Sequence, residues 1–164
     1  IFAGLPGSGK TTMARLLAST IGAAHIRVDT IEQAMRDLCG ISVEDEGYRL
    51  AYRIASDILR AYVSVVADSC NPVELSRRAW EQVALDAGAT PVNIEVVCSD
   101  DTEYRWRVEH RTATVPGLRL PTWREVKQRE YHDWKTERLV LDTAGTSPAQ
   151  CLSTLLDNLP RSEA

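Results

Sequence analysis

Apolar and polar positions along this chain follow two alternating periods. Met13, Leu16, Leu17 and Ile21 recur at helical spacing and mark a helix over Thr11–Ile21, stopped by Gly22. Leu50, Ala51, Ile54, Ile58 and Leu59 share one face of a longer helix over Gly47–Tyr62. Further helices read over Thr30–Leu38, Pro72–Ala87, Asp101–Arg111, Thr122–Trp134 and Ser147–Leu159. Pro72 opens its helix and Gly88 closes it. Between the helices lie short strand-like runs: Ile1–Gly4, Ala24–Val28, Val63–Asp68, Val92–Ser99 and Arg138–Asp142. Such alternation predicts an α/β fold: a three-layer sandwich with a five-stranded parallel sheet and right-handed crossovers. A ligand is expected at the carboxyl edge of that sheet. No internal repeat or low-complexity tract interrupts the pattern.

The link between the first strand and the first helix carries the clearest chemistry. Gly4-Leu5-Pro6-Gly7-Ser8-Gly9-Lys10-Thr11 satisfies the phosphate-loop pattern GxxxxGK[ST], and it stands where the mechanism needs it. Gly7, Ser8 and Gly9 let backbone N–H groups turn toward phosphate oxygens, and the helix start adds its positive dipole end. Lys10 is expected to reach the β- and γ-phosphates of ATP, the Thr11 hydroxyl to bind Mg²⁺, and Thr12 to help cradle the α-phosphate.

Two carboxylates should share that edge. Asp29 ends the second strand, where it can orient an acceptor hydroxyl for attack on the γ-phosphate. Asp29-x-x-Glu32 also has the form of a helix cap, which needs no catalysis. Asp68 ends the third strand, a place suited to a magnesium-side carboxylate; a turn-forming Asp explains it as well. Asn71 either meets the acceptor or starts the next helix. Arg105, Arg107 and Arg111 precede a loop, Thr112–Pro121, holding Pro116, Gly117 and Pro121. They suit a lid that closes over ATP and presents guanidinium groups to the transferring phosphoryl, or form salt bridges with Glu103 and Glu109. Arg49, Arg53 and Arg60 read as an exposed ion-pair face. Tyr48 and Tyr52 line an acceptor pocket or pack in the interior. His25, His110 and His132 lack metal-ligand spacing.

Composition narrows the class. At 164 residues, 44% hydrophobic and 26% charged, the sequence fits one globular domain without a membrane span. It opens at Ile1, inside a strand, so a start further upstream is expected. Cys39, Cys70, Cys98 and Cys151 are scattered, as in reduced cytoplasmic proteins. Net charge is −4, yet Arg105–Arg138 holds nine Lys and Arg against five Asp and Glu. Either a solvated helical face or a phosphate-meeting segment accounts for that balance.

With these residues in view, the chain resembles the small P-loop kinases grouped with zeta toxins and the kinase half of polynucleotide 5′-kinases. His25-Ile26-Arg27-Val28-Asp29-Thr30-Ile31-Glu32-Gln33 is similar to the segment where those kinases keep the catalytic base. Val65-Val66-Ala67-Asp68-Ser69-Cys70-Asn71-Pro72 is similar to their third-strand segment. Arg107 and Arg111 fall at the family's lid arginines. Leu139-Val140-Leu141-Asp142-Thr143, followed by Gly145, resembles the last strand and the loop near adenine, which places Thr143–Thr146 there. The resemblance implies a nucleoside-kinase-like P-loop fold, one kinase domain over 1–164 with a lid at about 105–121, and ATP with Mg²⁺ as cofactors.

One departure bears on the acceptor. Polynucleotide kinases carry an Arg three residues after the catalytic Asp, and here that position is Glu32, with Arg36 one turn further. A carboxylate there disfavours nucleic acid and suggests a neutral or cationic small molecule, such as a sugar or amino-sugar compound. The expectation is therefore a cytoplasmic kinase acting on a small-molecule hydroxyl, with Asp29, Glu32, Arg36, Asp68 and Asn71 on the acceptor side. It needs no membrane and no obligate protein partner. A polynucleotide 5′-kinase and a non-catalytic nucleotide switch remain the alternatives.

Overall fold

The computed structural model describes residues 1–160, so the last four positions of the expected domain, 161–164, lie outside the described residues. Five strands, β1 (Phe2–Ala3), β2 (Ala24–Arg27), β3 (Val65–Asp68), β4 (Ile94–Val97) and β5 (Leu139–Asp142), pair in the order β2-β3-β1-β4-β5. Every pairing is parallel. Helices α1 (Lys10–Ile21), α2 (Val28–Cys39), α3 (Glu46–Arg60), α4 (Glu74–Asp86), α5 (Asp101–His110), α6 (Trp123–Gln128) and α7 (Pro148–Asn158) connect and cover them. Among the described residues no helix is long and apolar enough to cross a membrane.

Two cores make three layers, because successive strand residues face opposite ways. Val66 joins Phe2, Ile94, Val96 and Leu141 beneath α1 and α7, around Met13, Leu17 and Leu155. Ala67 faces the other side with Ile26 and Val28, against Ala51 and Ala55 of α3 and Trp80 of α4. A third cluster, Tyr104, Val108 and Val126 with Cys98, packs α5 and α6 beside Leu5 of the phosphate loop. Phe2, Arg27 and Asp68 lie at one level of the sheet, at the carboxyl ends of the strands.

Several boundaries differ from the sequence pattern. α4 begins at Glu74 with Val73 as its cap, so Pro72 precedes it rather than opening it. Asp29 lies in the first turn of α2, not at the end of β2. The cap of α2 is Arg27, without a side-chain cap bond, so Asp29-x-x-Glu32 forms no capping box. Reciprocal boxes occur instead at Thr122 with Glu125 and at Ser147 with Gln150.

The largest difference is α6, which stops at Gln128 although the pattern carries on to Trp134. Arg77 of α4 is the cause. It is 3% exposed. Its Nε donates to Asn71 O at 2.9 Å and its Nη2 to Pro72 O at 3.2 Å and His132 O at 2.9 Å. The guanidinium lies 4.1 Å from the Trp134 ring centre and 4.8 Å from that of Tyr131. Those contacts require an extended chain after Arg129, and they outweigh a few residues of helix propensity. Arg77→Met should therefore cost roughly 3 kcal/mol, since it removes the donor from the buried Asn71 carbonyl and from the part-buried His132 carbonyl. Denaturant unfolding checks this, and a loss below about 1 kcal/mol would mean that the clamp is dispensable.

Candidate active site

The phosphate loop takes its shape from three glycines that other residues could not replace without strain. Gly4, Gly7 and Gly9 have φ of 143°, 91° and 95°. A side chain on Gly4 would run into Val96 O, and one on Gly7 would meet Val108 at 2.5 Å. Gly9 caps α1 with no side-chain bond, leaving the first N–H groups of that helix open to a ligand. The Ser8 Oγ is buried and has no hydrogen-bond partner among the described residues. A helix start with open donors and an orphaned hydroxyl in the loop both fit an anionic phosphate.

Behind the loop sits a buried polar knot. Lys10 Nζ donates to Asp68 Oδ1 at 2.9 Å, and Thr11 Oγ1 donates to the same oxygen at 3.3 Å. His25 Nε2 lies 3.3 Å from Asp68 Oδ2. Burial alone would raise the Asp68 carboxyl, but Lys10, His25 and Thr11 outweigh it and hold it well below the usual carboxylate range. Burial works against the Lys10 ammonium too, yet the Asp68 charge and hydrogen bond leave it above its ordinary value. Thr11 and Asp68 are hard oxygen donors. Among the described residues no group of three or more His, Cys, Asp or Glu could cage a metal. That set fits Mg²⁺, which takes few protein ligands beside phosphate oxygens and water. His25 joins through its place on β2 next to β3, a contact that motif spacing could not reveal.

A cleft of about 990 Å³ opens in front of the loop. Gly7, Gly9, Lys10, Thr11 and Thr12 form one end, and Asp29, Glu32 and Arg36 of α2 line another part. Segment Thr112–Pro121 lies across it onto α2: Arg27 Nη1 donates to Thr114 Oγ1 at 2.7 Å, and Gly117 packs against Gln33. These contacts tie the segment to β2 and α2 across part of the cleft.

The arginines and polar residues singled out from sequence do not all behave alike. Arg107 donates to Thr143 Oγ1 at 2.7 Å and Thr143 O at 2.9 Å, and pairs with Glu103 at 2.5 Å. Its fork therefore braces the loop after β5, and Thr143 in turn donates to Ser8 O at 2.9 Å. Arg111 instead has a buried Nε without a partner among the described residues, and it lines the cleft. Desolvation lowers its guanidinium from the ordinary value, while Cys70 and Asp29 oppose the shift.

Three placements correct the sequence reading. Asn71 is fully buried and its Nδ2 donates to Phe2 O at 2.8 Å, so it braces β1 and does not meet an acceptor. Asp68 has a wholly buried side chain behind Lys10 and Thr11 and does not line the cleft. Gly145 lies outside the cleft, its N–H donating to Glu103 Oε2 at 2.8 Å, whereas Thr143 and Thr146 line it. Tyr48 and Tyr52 are packing residues: Tyr52 meets Trp80 edge to face at 4.7 Å, and burial raises both phenols, Tyr52 to about 12.

The charge of the cleft is set by several elements together. Glu32 pairs with Arg36 at 3.3 Å, and burial raises its carboxyl while Arg36 opposes the shift. Lys10 and six arginines (Arg27, Arg36, Arg107, Arg111, Arg119 and Arg129) line the cleft with Asp29, Glu32 and Glu125, and Asp68 and Glu103 pair with Lys10 and Arg107. Taken as a whole, the cleft and the groups paired with its lining carry more positive than negative side chains. Arg27 and Arg129 had no motif to mark them; only the fold brings them here.

Comparison with known proteins agrees with the fold. The chain is 33% identical over 120 residues to a shikimate kinase of Gloeobacter violaceus, a match covering 70% of this chain and 64% of that protein. Its fold matches Kti12 of Chaetomium thermophilum in complex with ADP-AlF3 at a TM-score of 0.68, with 20% identity over 98% of both chains. It matches the APS kinase of Mycobacterium tuberculosis in complex with AMPPNP and APS at 0.64, with 18% identity over 95% of this chain and 93% of that one. A family model described as AAA domain covers residues 1–131. With a parallel five-stranded sheet and a phosphate loop at its edge, the chain has a P-loop kinase fold and belongs to this AAA domain family.

Proposed function

We propose that this chain is an ATP-dependent phosphotransferase that moves the γ-phosphoryl group to a hydroxyl of a small molecule. The observation that carries the reading is the meeting of the phosphate loop and the accessible Asp29 carboxylate in one cleft. Likeness to a shikimate kinase supports it, and so does the similarity of the Asp29 and Asp68 segments to the zeta-toxin and polynucleotide-kinase group.

When bound, magnesium ATP supplies the transferable phosphoryl group and part of the charge neutralisation that its transfer needs. Thr11 and Asp68 would hold the metal, and the N–H groups of Gly7–Thr12 the phosphates. Lys10 offsets phosphate charge from its buried base. Asp29 orients the acceptor hydroxyl and takes its proton, and its side chain, 38% exposed, is open to the cleft for that task. Arg111 places free guanidinium donors on the lid side, and Arg107 adds charge while fixing the Thr143 loop. The lid excludes water from the closed cleft.

Turnover of magnesium ATP against a panel of small hydroxyl compounds and 5′-hydroxyl oligonucleotides tests this. One class of small compound should raise turnover by roughly a hundredfold or more, well within what positioning alone supplies. Stimulation by oligonucleotide only would make the chain a polynucleotide kinase. Nucleotide binding without any stimulated turnover would make it a nucleotide-dependent switch.

A further inference from the structure

β5 is an open edge of the sheet: it pairs with β4 on one side and, among the described residues, with no strand on the other. Leu139 N–H donates to Asn93 O at 2.9 Å and Thr143 N–H to Val97 O at 2.9 Å, both toward β4. By the alternation of a strand, Arg138, Val140 and Asp142 turn their N–H and C=O groups outward. Their side chains share one face of the sheet, with Val140 in the middle and 57% exposed. Leu139 and Leu141 point to the other face, into the core beneath α1 and α7.

Edges of this kind are normally blunted by lysine, proline or a bulge, or covered by another element. Here an exposed β-branched residue stands at the centre, and the charges beside it are of opposite sign. Both charges keep bonding capacity. Arg138 donates through Nε to Glu95 Oε2 at 2.6 Å, and neither of its Nη groups makes a hydrogen bond among the described residues. Asp142 Oδ1 accepts from Ser99 N at 3.1 Å and from Ala144 N at 3.0 Å, which leaves Oδ2 open.

The run Arg138-Leu139-Val140-Leu141-Asp142 is the same from either end, except that its charge changes sign. A second copy laid antiparallel, with Val140 on the twofold axis, brings each outward N–H to an outward carbonyl. Arg138 then stands opposite Asp142, Leu139 opposite Leu141, and Val140 opposite its own counterpart. Sliding the pairing by two residues in either direction sets Val140 against Arg138 or Asp142 and leaves the charges unmatched. We propose that β5 is a self-association edge, through which two copies of this chain pair antiparallel over Arg138–Asp142 and join their sheets into one. None of these residues lines the nucleotide cleft, so the pairing goes beyond the phosphotransfer reading and does not depend on it. So short an edge buries little area, and the dimer is accordingly weak and reversible.

Sedimentation velocity of the whole chain from about 10 µM to about 1 mM covers the range in which a small interface fills. A reversible monomer–dimer equilibrium should appear. Val140→Lys sets two ammonium groups face to face on the axis and should weaken association by roughly tenfold or more. Val140→Thr keeps the branched shape and should stay within roughly threefold of wild type. Two charge reversals test the register. Arg138→Glu alone opposes like charges at both ends of the pairing, and so does Asp142→Lys alone; each should weaken association by roughly tenfold or more. Mixed together, the two variants restore opposite charges at both ends, and a mixed dimer should form. Melting curves show which variants are folded. Should Arg138→Glu unfold through its contact with Glu95, Val140→Lys and Asp142→Lys carry the test. A wild type that stays monomeric throughout overturns the proposal and leaves the edge to a strand of another protein. Association that Val140→Lys does not weaken overturns it too, as does a mixture of folded charge variants that associates no better than its parts.

Discussion

Replacing Lys10 by Ala should damage the fold as well as the function, lowering stability by about 3–5 kcal/mol at neutral pH. A phosphate-loop lysine is usually regarded as a ligand contact only. Here its ammonium is the main counter-charge of Asp68, whose side chain is wholly buried, at 2.9 Å. Truncation leaves that carboxylate with a long hydroxyl contact and the His25 ring. Water entering from the cleft would solvate it in part, which keeps the loss at the lower end of the range. For a domain of this size the melting temperature should fall by roughly 6–20 °C.

The pH dependence identifies the cause. The folded Asp68 carboxyl is held below its ordinary value, so its contribution is present above the unfolded value and is lost as pH falls through the folded one. In Lys10→Ala the dominant lowering influence is gone and burial raises the group instead. The gap between wild type and variant should therefore be widest near neutrality and narrow as pH falls through the usual carboxylate range. A double variant, Lys10→Met with Asp68→Asn, should recover part of the loss because neither charge is left alone. Wild-type melting of Lys10→Ala at pH 7.5 would falsify the account. Nucleotide affinity is read separately, as the melting shift on adding magnesium ATP, and should shrink in the variant.

Fold and site were legible to different depths. Strands and helices came through because each buries one face, and the two periods differ. The phosphate loop came through because its chemistry is local: three positive-φ glycines, a lysine and a hydroxyl within eight residues. What failed was non-local. Nothing in Thr122–Trp134 announces that Arg77, some 50 positions upstream, will unwind its second half. Asn71 looked like an acceptor contact, but its amide is needed to satisfy a carbonyl of β1. Arg107 and Arg111 share helical spacing, yet one fork is filled by Thr143 and Glu103 and the other has a buried Nε without a partner among the described residues. Glu32 read alone suggested a neutral or cationic acceptor; in the fold Arg36 pairs with it and arginines from other elements line the same cleft, a setting that no local motif announces.

Asp29→Asn should reduce acceptor-stimulated turnover by about 10²–10⁴-fold while leaving stability within about 1 kcal/mol of wild type. The substitution keeps the volume of the side chain and an oxygen for Arg27, but it removes the carboxylate proposed to accept the acceptor's proton. Position matters as much as charge. Asp29 lies in the first turn of α2, whose positive end favours a carboxylate over a neutral amide by a few tenths to one kcal/mol. That small term bounds the stability change. Asp29 does not cap the helix, since Arg27 occupies the cap position and no side-chain cap bond forms. A structural role would therefore show itself in the opposite pattern: Asp29→Ala would melt early and Asp29→Asn would remain active. Because the Lys10–Asp68 pair and the loop glycines are untouched, ATP affinity should stay within roughly twofold of wild type, and the loss should fall on kcat more than on the KM for ATP. Undiminished turnover in Asp29→Asn would pass the proton-accepting role to another group or to water, and would leave the cleft a nucleotide site without an identified base.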